Sequence, residues 1–271
     1  IVGAASNNAT GVAGVSWHSK LMPIKVLNWE GVGTHSQIAE GIRWAYQQGA
    51  DIINLSLGGP VNSITLSEAV LDAYNAGCLL VAAAGNEYEE GNPPMYPAAL
   101  DHVLAVGSTG DLDEHAAYSN TGDYLDVCAP GGNPSSSYDG NPRHWIYSTY
   151  WRGSGRSYYS VTGTSQACPH IAGVAALIWS VNASLSNDEV AGFITNTAVD
   201  LGTPGWDEIF GHGRVDAAAA VAAAIGGETP TPTPTGTLPT LTQTPTPSHT
   251  PTATRTPTAT HTHYLHDKVW H

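Results

Sequence analysis

The chain has 271 residues, nine of them basic and twenty-three acidic, for a formal net charge of −14. That length allows one sizeable domain with an appendage, enough to bury a large apolar core. The acidic balance argues against nucleic acid and anionic membranes as partners, and no apolar run is long enough to span a bilayer.

Taken in chain order, residues 1–227 have the composition of a globular domain. Short apolar, partly β-branched runs at 21–27 (LMPIKVL), 51–57 (DIINLSL), 78–85 (CLLVAAAG), 102–108 (HVLAVGS) and 124–130 (YLDVCAP) predict strands buried on both faces. Two amphipathic stretches lie between the first three. Residues 36–49 set Ile38, Ile42, Trp44 and Ala45 on one side and end at Gly49; residues 63–77 run from a capping Ser63 to Gly77. Further helices are expected at 164–181, 187–197 and 215–225. Strand–helix alternation makes the class α/β, a parallel sheet with right-handed crossovers. Ligands of such sheets sit beyond the carboxyl ends of the strands, which here means Ser56–Pro60, Gly85–Glu90 and the loop after Pro130.

Residues 228–260 are almost entirely Thr and Pro. Proline at that frequency forbids helix and removes sheet donors, so this segment reads as an extended, disordered linker or stalk. It favours a secreted or cell-surface protein. The histidine-rich end, 261–271, reads as an unstructured tail. Cys78, Cys128 and Cys168 match no metal-ligand spacing. Their apolar surroundings favour buried free thiols, with a disulfide between two of them as the alternative.

The chemistry concentrates in "GTSQACPHIAG" (163–173), a serine just inside a predicted helix. A serine hydroxyl needs a base to take its proton and donors aimed where the oxyanion forms. The Ser165 amide is one such donor, because the first N–H groups of a helix lack intrahelical partners. Asn86 in "VAAAGNE", just past a buried strand, is a second. Alone, each motif is weak, since G-T-S is common at helix caps and Asn after Gly is common in turns.

Together with "DIINLSLGG", "YPAAL", "LDVCAPGG" and "GHGRVDA", in this order, the two blocks make residues 1–225 resemble the subtilisin-like serine proteases, specifically the thermitase-like branch. The resemblance implies an endopeptidase acting on polypeptides through an acyl-enzyme on Ser165, with Asn86 and the Ser165 amide as the oxyanion hole. Ser56, Leu57 and Gly58 then run antiparallel to the substrate, and Ala83, Ala84 and Gly85 complete the wall of the primary pocket. Met95 stands at its base and Glu87 at its rim, implying a medium-sized or basic residue before the cleaved bond. Catalysis needs no cofactor. A structural Ca²⁺ is implied at "SNNATGV", held by the Asn8 side chain and the carbonyls of Ser6, Thr10 and Val12. A monomer is expected.

The family's D-[ST]-G and H-G-T-H-x-A-G motifs, which carry the catalytic Asp and His, are absent from these residues. "IVGAASNN" resembles the segment that follows the histidine motif, so the expectation is an N-terminally truncated chain. It would lack the strands that carry both residues, and be inactive and poorly folded by itself. His170 lies five positions from Ser165, well over a helical turn, and His212 sits in a Gly-rich turn, so neither substitutes as base. Gln166 replaces the family's frequent methionine, and residues 132–145 lengthen a surface loop beside Trp145, Tyr147, Tyr150 and Trp151. The alternative reading is a non-catalytic binding module on a stalk; retention of Ser165 with Asn86 argues against it. An α/β-hydrolase esterase fails for want of a G-x-S-x-G elbow.

Overall fold

A computed structural model describes residues 1–134, 144–152 and 155–227. The Thr/Pro segment, the tail and most of the loop at 132–145 lie outside the described residues.

Helix α1 (His35–Gln47) starts from Thr34, whose hydroxyl accepts the Gln37 N–H while the Gln37 side chain accepts the Thr34 N–H. This reciprocal cap satisfies two amides that the helix cannot bond internally. Strand β1 (Ile52–Leu55) leads to α2 (Ile64–Asn75), and Ser63 does occupy its N-cap, though without a capping side-chain bond. Strands β2 (Leu79–Ala83), β3 (Val103–Thr109) and β4 (Val127–Pro130) follow. All four pair in parallel in the order β1-β2-β3-β4, with Ile53 opposite Leu80 and Ala82 opposite Ala105. After the sheet come the hairpin β5 (Ile146–Arg152) and β6 (Gly155–Val161), then α3 (Thr164–Val181), α4 (Asn187–Asn196) and α5 (Ala217–Gly226).

The unbroken apolar runs of β2 and β3 follow from burial on both faces. Leu80, Ala82 and Ala105 meet α1 and α2 on one side. Leu79, Val81, Leu104 and Val106 meet α3, α4 and α5 on the other. The result is three layers, helix–sheet–helix, as the alternation predicts.

One expectation fails. Residues 21–27 form no strand: their main chain from 21 to 26 makes no hydrogen bond among the described residues. Ile24 and Val26 still pack on the cluster under α1, with Val26 filling the space beside Gly41. An extended run becomes a strand only where a neighbour completes its ladder, and among the described residues β1 is paired with β2 alone. The β5–β6 hairpin, conversely, was not expected from the sequence. Its signal is the β-branched and aromatic run YSTYW on one side of RGSGR and SYYSV on the other.

Candidate active site

Helix α3 opens at Gly163, whose φ of +149° is a backbone conformation that favours glycine. Ser165 lies in its first turn, half-buried, and its N–H makes no hydrogen bond among the described residues. Pro169 stands inside the helix and has no N–H to return to the carbonyl of Ser165 four residues earlier. The Ser56 hydroxyl takes that place, donating to the Ser165 carbonyl at 3.0 Å. In return, the Ser165 hydroxyl donates to the Ser56 carbonyl at 3.2 Å. Ser56 follows directly on β1, so the carboxyl edge of the sheet and the start of α3 meet at Ser165.

Asn86 is fixed from the other side. Its side-chain oxygen accepts the Thr164 N–H at 2.9 Å and the Thr164 hydroxyl at 3.0 Å. Thr164 is fully buried, and its oxygen also accepts the Gly85 N–H at 3.2 Å. With both donors on Oδ1, the orientation of the amide is decided by chemistry, and Nδ2 points away from Thr164. Nδ2 makes no hydrogen bond among the described residues. Two N–H donors, on Asn86 and Ser165, therefore stand unpartnered either side of Thr164, at a helix N-terminus that carries partial positive charge.

The walls are main chain and small side chains. Gly59 and Tyr96 exchange hydrogen bonds at 3.0 and 2.8 Å, while the main-chain groups of Leu57 and Gly58 have no partner among the described residues. Opposite them, the Tyr124 hydroxyl donates to the Ala84 carbonyl, and the Asn120 N–H donates to that of Gly85. Gly85 has φ +116°, and a Cβ there would stand 2.6 Å from both Met95 Cγ and Asn120 Nδ2. Only glycine fits. Met95 is buried and also borders Gly58, so its side chain spans the base between the two walls. Ala83 belongs to β2 and faces the α3 side. The Glu87 carboxylate folds back to accept the Asn86 N–H at 2.7 Å, and the Glu87 N–H donates to Asn120 Oδ1. Sequence reasoning missed a cavity of about 210 Å³ beyond Gly58, lined by Leu27, Gly31, Val32, Gly33, Ile38 and Leu57. Its signal was the EGVG turn before α1, which stands across from SLGG.

No described imidazole bonds the Ser165 hydroxyl. The Gln166 carbonyl can only accept, so His170 Nδ1 carries a proton and donates it there at 2.8 Å. Burial also lowers the His170 pKa. His212 is likewise lowered by burial, and His115 donates to the Ser119 carbonyl. The three cysteines are free and buried. Cys168 points to Asn54 Oδ1 and the Val81 carbonyl, and desolvation pushes its thiol up to about 12. A thiol held protonated in this way is a poor nucleophile.

In the loop at 6–12, Asn8 Oδ1 accepts the Thr10 N–H at 3.1 Å. The carbonyls of Ser6, Thr10 and Val12 accept nothing among the described residues.

The Subtilase family (Peptidase S8) matches residues 1–213. Subtilisin DY of Bacillus licheniformis is 43% identical over 219 residues, covering 80% of this chain and 73% of that protein. Thermitase of Thermoactinomyces vulgaris is 41% identical over 222 residues, covering 82% of this chain and 72% of thermitase. The chain spans only about half the length of other curated relatives it matches, 52% of each. Among solved structures, a protease of Pseudoalteromonas arctica PAMC 21717 superposes with a TM-score of 0.73 at 39% identity, covering 82% of this chain and 68% of that one. No helix among the described residues is long and apolar enough to cross a membrane. On the extent of the family match and the identity to these relatives, the chain belongs to the subtilase family, peptidase family S8.

Proposed function

We propose that these residues are the nucleophile- and oxyanion-bearing part of a serine endopeptidase. The observation that carries this is the locking of Asn86 Oδ1 by Thr164, which leaves the Asn86 amide N–H and the Ser165 N–H as a pair of open donors. In the reaction, Ser165 Oγ attacks the carbonyl carbon of the scissile bond and its proton passes to a base. The two donors take the charge that develops on the carbonyl oxygen. Collapse expels the amine with that proton and leaves an acyl-enzyme, which water hydrolyses in the reverse sense.

The base and the carboxylate that orients it come from residues outside these 271, so the 271 residues alone do not hydrolyse peptides. The open main-chain groups of Leu57 and Gly58 bind the substrate as an added antiparallel strand. Met95 at the base and the Glu87 carboxylate nearby suit a medium-sized or basic residue before the cleaved bond. The free carbonyls of Ser6, Thr10 and Val12, with Asn8 Oδ1, form an oxygen-only donor set that fits a structural Ca²⁺. The protein is secreted and monomeric, with residues 228–260 as its linker or stalk.

The test is labelling of the complete natural protein with a serine-directed fluorophosphonate. Labelling at Ser165, and its loss in Ser165→Ala, is the expected result; an unlabelled wild-type protein would overturn the reading.

A further inference from the structure

Tyr118 is linked to each half of the oxyanion hole through intervening main chain, to Asn86 by way of Tyr88 and to Ser165 by way of Gly131 and Gly163. Its carbonyl accepts the N–H of Tyr88, two residues after Asn86, at 3.1 Å. Its hydroxyl reaches the carbonyls of Gly132 at 2.5 Å and Gly131 at 3.0 Å. The Gly131 carbonyl in turn accepts the N–H of Gly163, two residues before Ser165, at 3.0 Å. A phenol has one proton, which these two carbonyls share, so the Ser108 hydroxyl 2.8 Å away must donate to the phenol oxygen. Each partner is main chain or, in Ser108, a fully buried side chain.

We propose that Tyr118 is a positioning residue that sets the separation of the Asn86 and Ser165 donors. This rests on the serine endopeptidase reading above. The ring is a strut between the segment after Asn86 and the glycine pair that holds the start of α3. Burial also raises the phenol pKa, so the hydroxyl stays protonated and donating across the working pH range. Without the hydroxyl, Gly131 loses a restraint, Gly163 shifts with it, and the Ser165 N–H moves relative to Asn86. Oxyanion stabilisation falls while main-chain binding at Leu57 and Gly58 is untouched.

The experiment compares the complete natural protein with its Tyr118→Phe and Ser108→Ala variants on one peptide substrate. Tyr118→Phe should lower kcat about ten-fold, less than loss of a whole donor, with the fluorophosphonate labelling rate falling in parallel. KM should stay within roughly two-fold. Ser108→Ala keeps the phenol's own donation, so it should lose thermal stability yet retain kcat. An unchanged kcat in Tyr118→Phe would overturn the proposal. So would an equal loss of rate in Ser108→Ala, which would assign the effect to general packing even if Tyr118→Phe did not fold. A wild-type protein that neither labels nor hydrolyses would overturn the endopeptidase reading itself.

Discussion

Ser56 and Ser165 exchange hydrogen bonds, each hydroxyl donating to the other's carbonyl, at 3.0 and 3.2 Å across 109 positions of sequence. Pro169 is the reason one of them exists, because it removes the N–H that would have bonded the Ser165 carbonyl. The exchange seats Ser165 at the carboxyl end of β1.

Ser56→Ala should leave that carbonyl unpaired, at a cost of about 1 kcal/mol, or roughly 2–4 °C in Tm. Pro169→Ala restores an N–H to the same carbonyl. The double variant should therefore be more stable than the sum of the two single changes. Additive Tm losses from calorimetry of the four proteins would show that the carbonyl has another partner.

Replacing Asn86 by Leu should lower kcat by about 100- to 1,000-fold with little change in KM. That is the effect of removing one oxyanion donor in a subtilisin. Thr164→Val removes one of the two donors that hold Asn86 Oδ1, so its loss should be smaller. Steady-state kinetics on the complete protein decide both, and an effect on KM alone would place Asn86 outside the transition state.

Asp126 is half-buried beside β3, where its carboxylate accepts the Ala105 N–H at 2.7 Å. Desolvation outweighs that bond and raises its pKa to about 6. The folded state therefore holds the proton more tightly than the unfolded chain does. The sign follows: the contribution is present below the ordinary carboxylate pKa and is lost as pH rises from about 4 through about 6. Asp126→Asn keeps an acceptor without the charge, so its Tm advantage over wild type should grow between pH 4 and pH 7. A constant difference across that range would refute the assignment.

Gln166 follows the nucleophile where a thioether is frequent in the family, and it offers no sulfur to oxidise. The complete enzyme should keep most of its activity in peroxide, whereas Gln166→Met should lose it progressively. Equal inactivation of the two would point to a different oxidised residue.

Chelation by EDTA should lower Tm, and added Ca²⁺ should restore it. Asn8→Ala should reduce the difference between the two conditions. A chelator shift unaffected by Asn8→Ala would move the ion elsewhere.

Much of the architecture was legible. The apolar runs of β2 and β3, with no polar alternation, are the mark of strands covered on both faces, and the caps at Gly49 and Gly77 closed their helices to within two residues. The blocks that carry Ser165 and Asn86 were readable, and the fold joins them through Thr164. What was not legible was pairing. LMPIKVL has the composition of a buried strand, yet no neighbour among the described residues completes its ladder, while the half-polar YSTYW forms β5 because SYYSV folds back onto it.

By itself, the sequence determined that β2 and β3 bury both faces, where α3 begins, and that Pro169 strips the Ser165 carbonyl of its helical donor. These follow from local periodicity and covalent structure, which act over a few residues. Only the tertiary structure decided that Ser56 replaces that donor, that Thr164 turns Asn86 outward across 78 positions, and that the Glu87 carboxylate accepts the Asn86 N–H. Those choices depend on the register of a parallel sheet, which brings the carboxyl ends of β1 and β2 to the start of α3. No local pattern encodes that register.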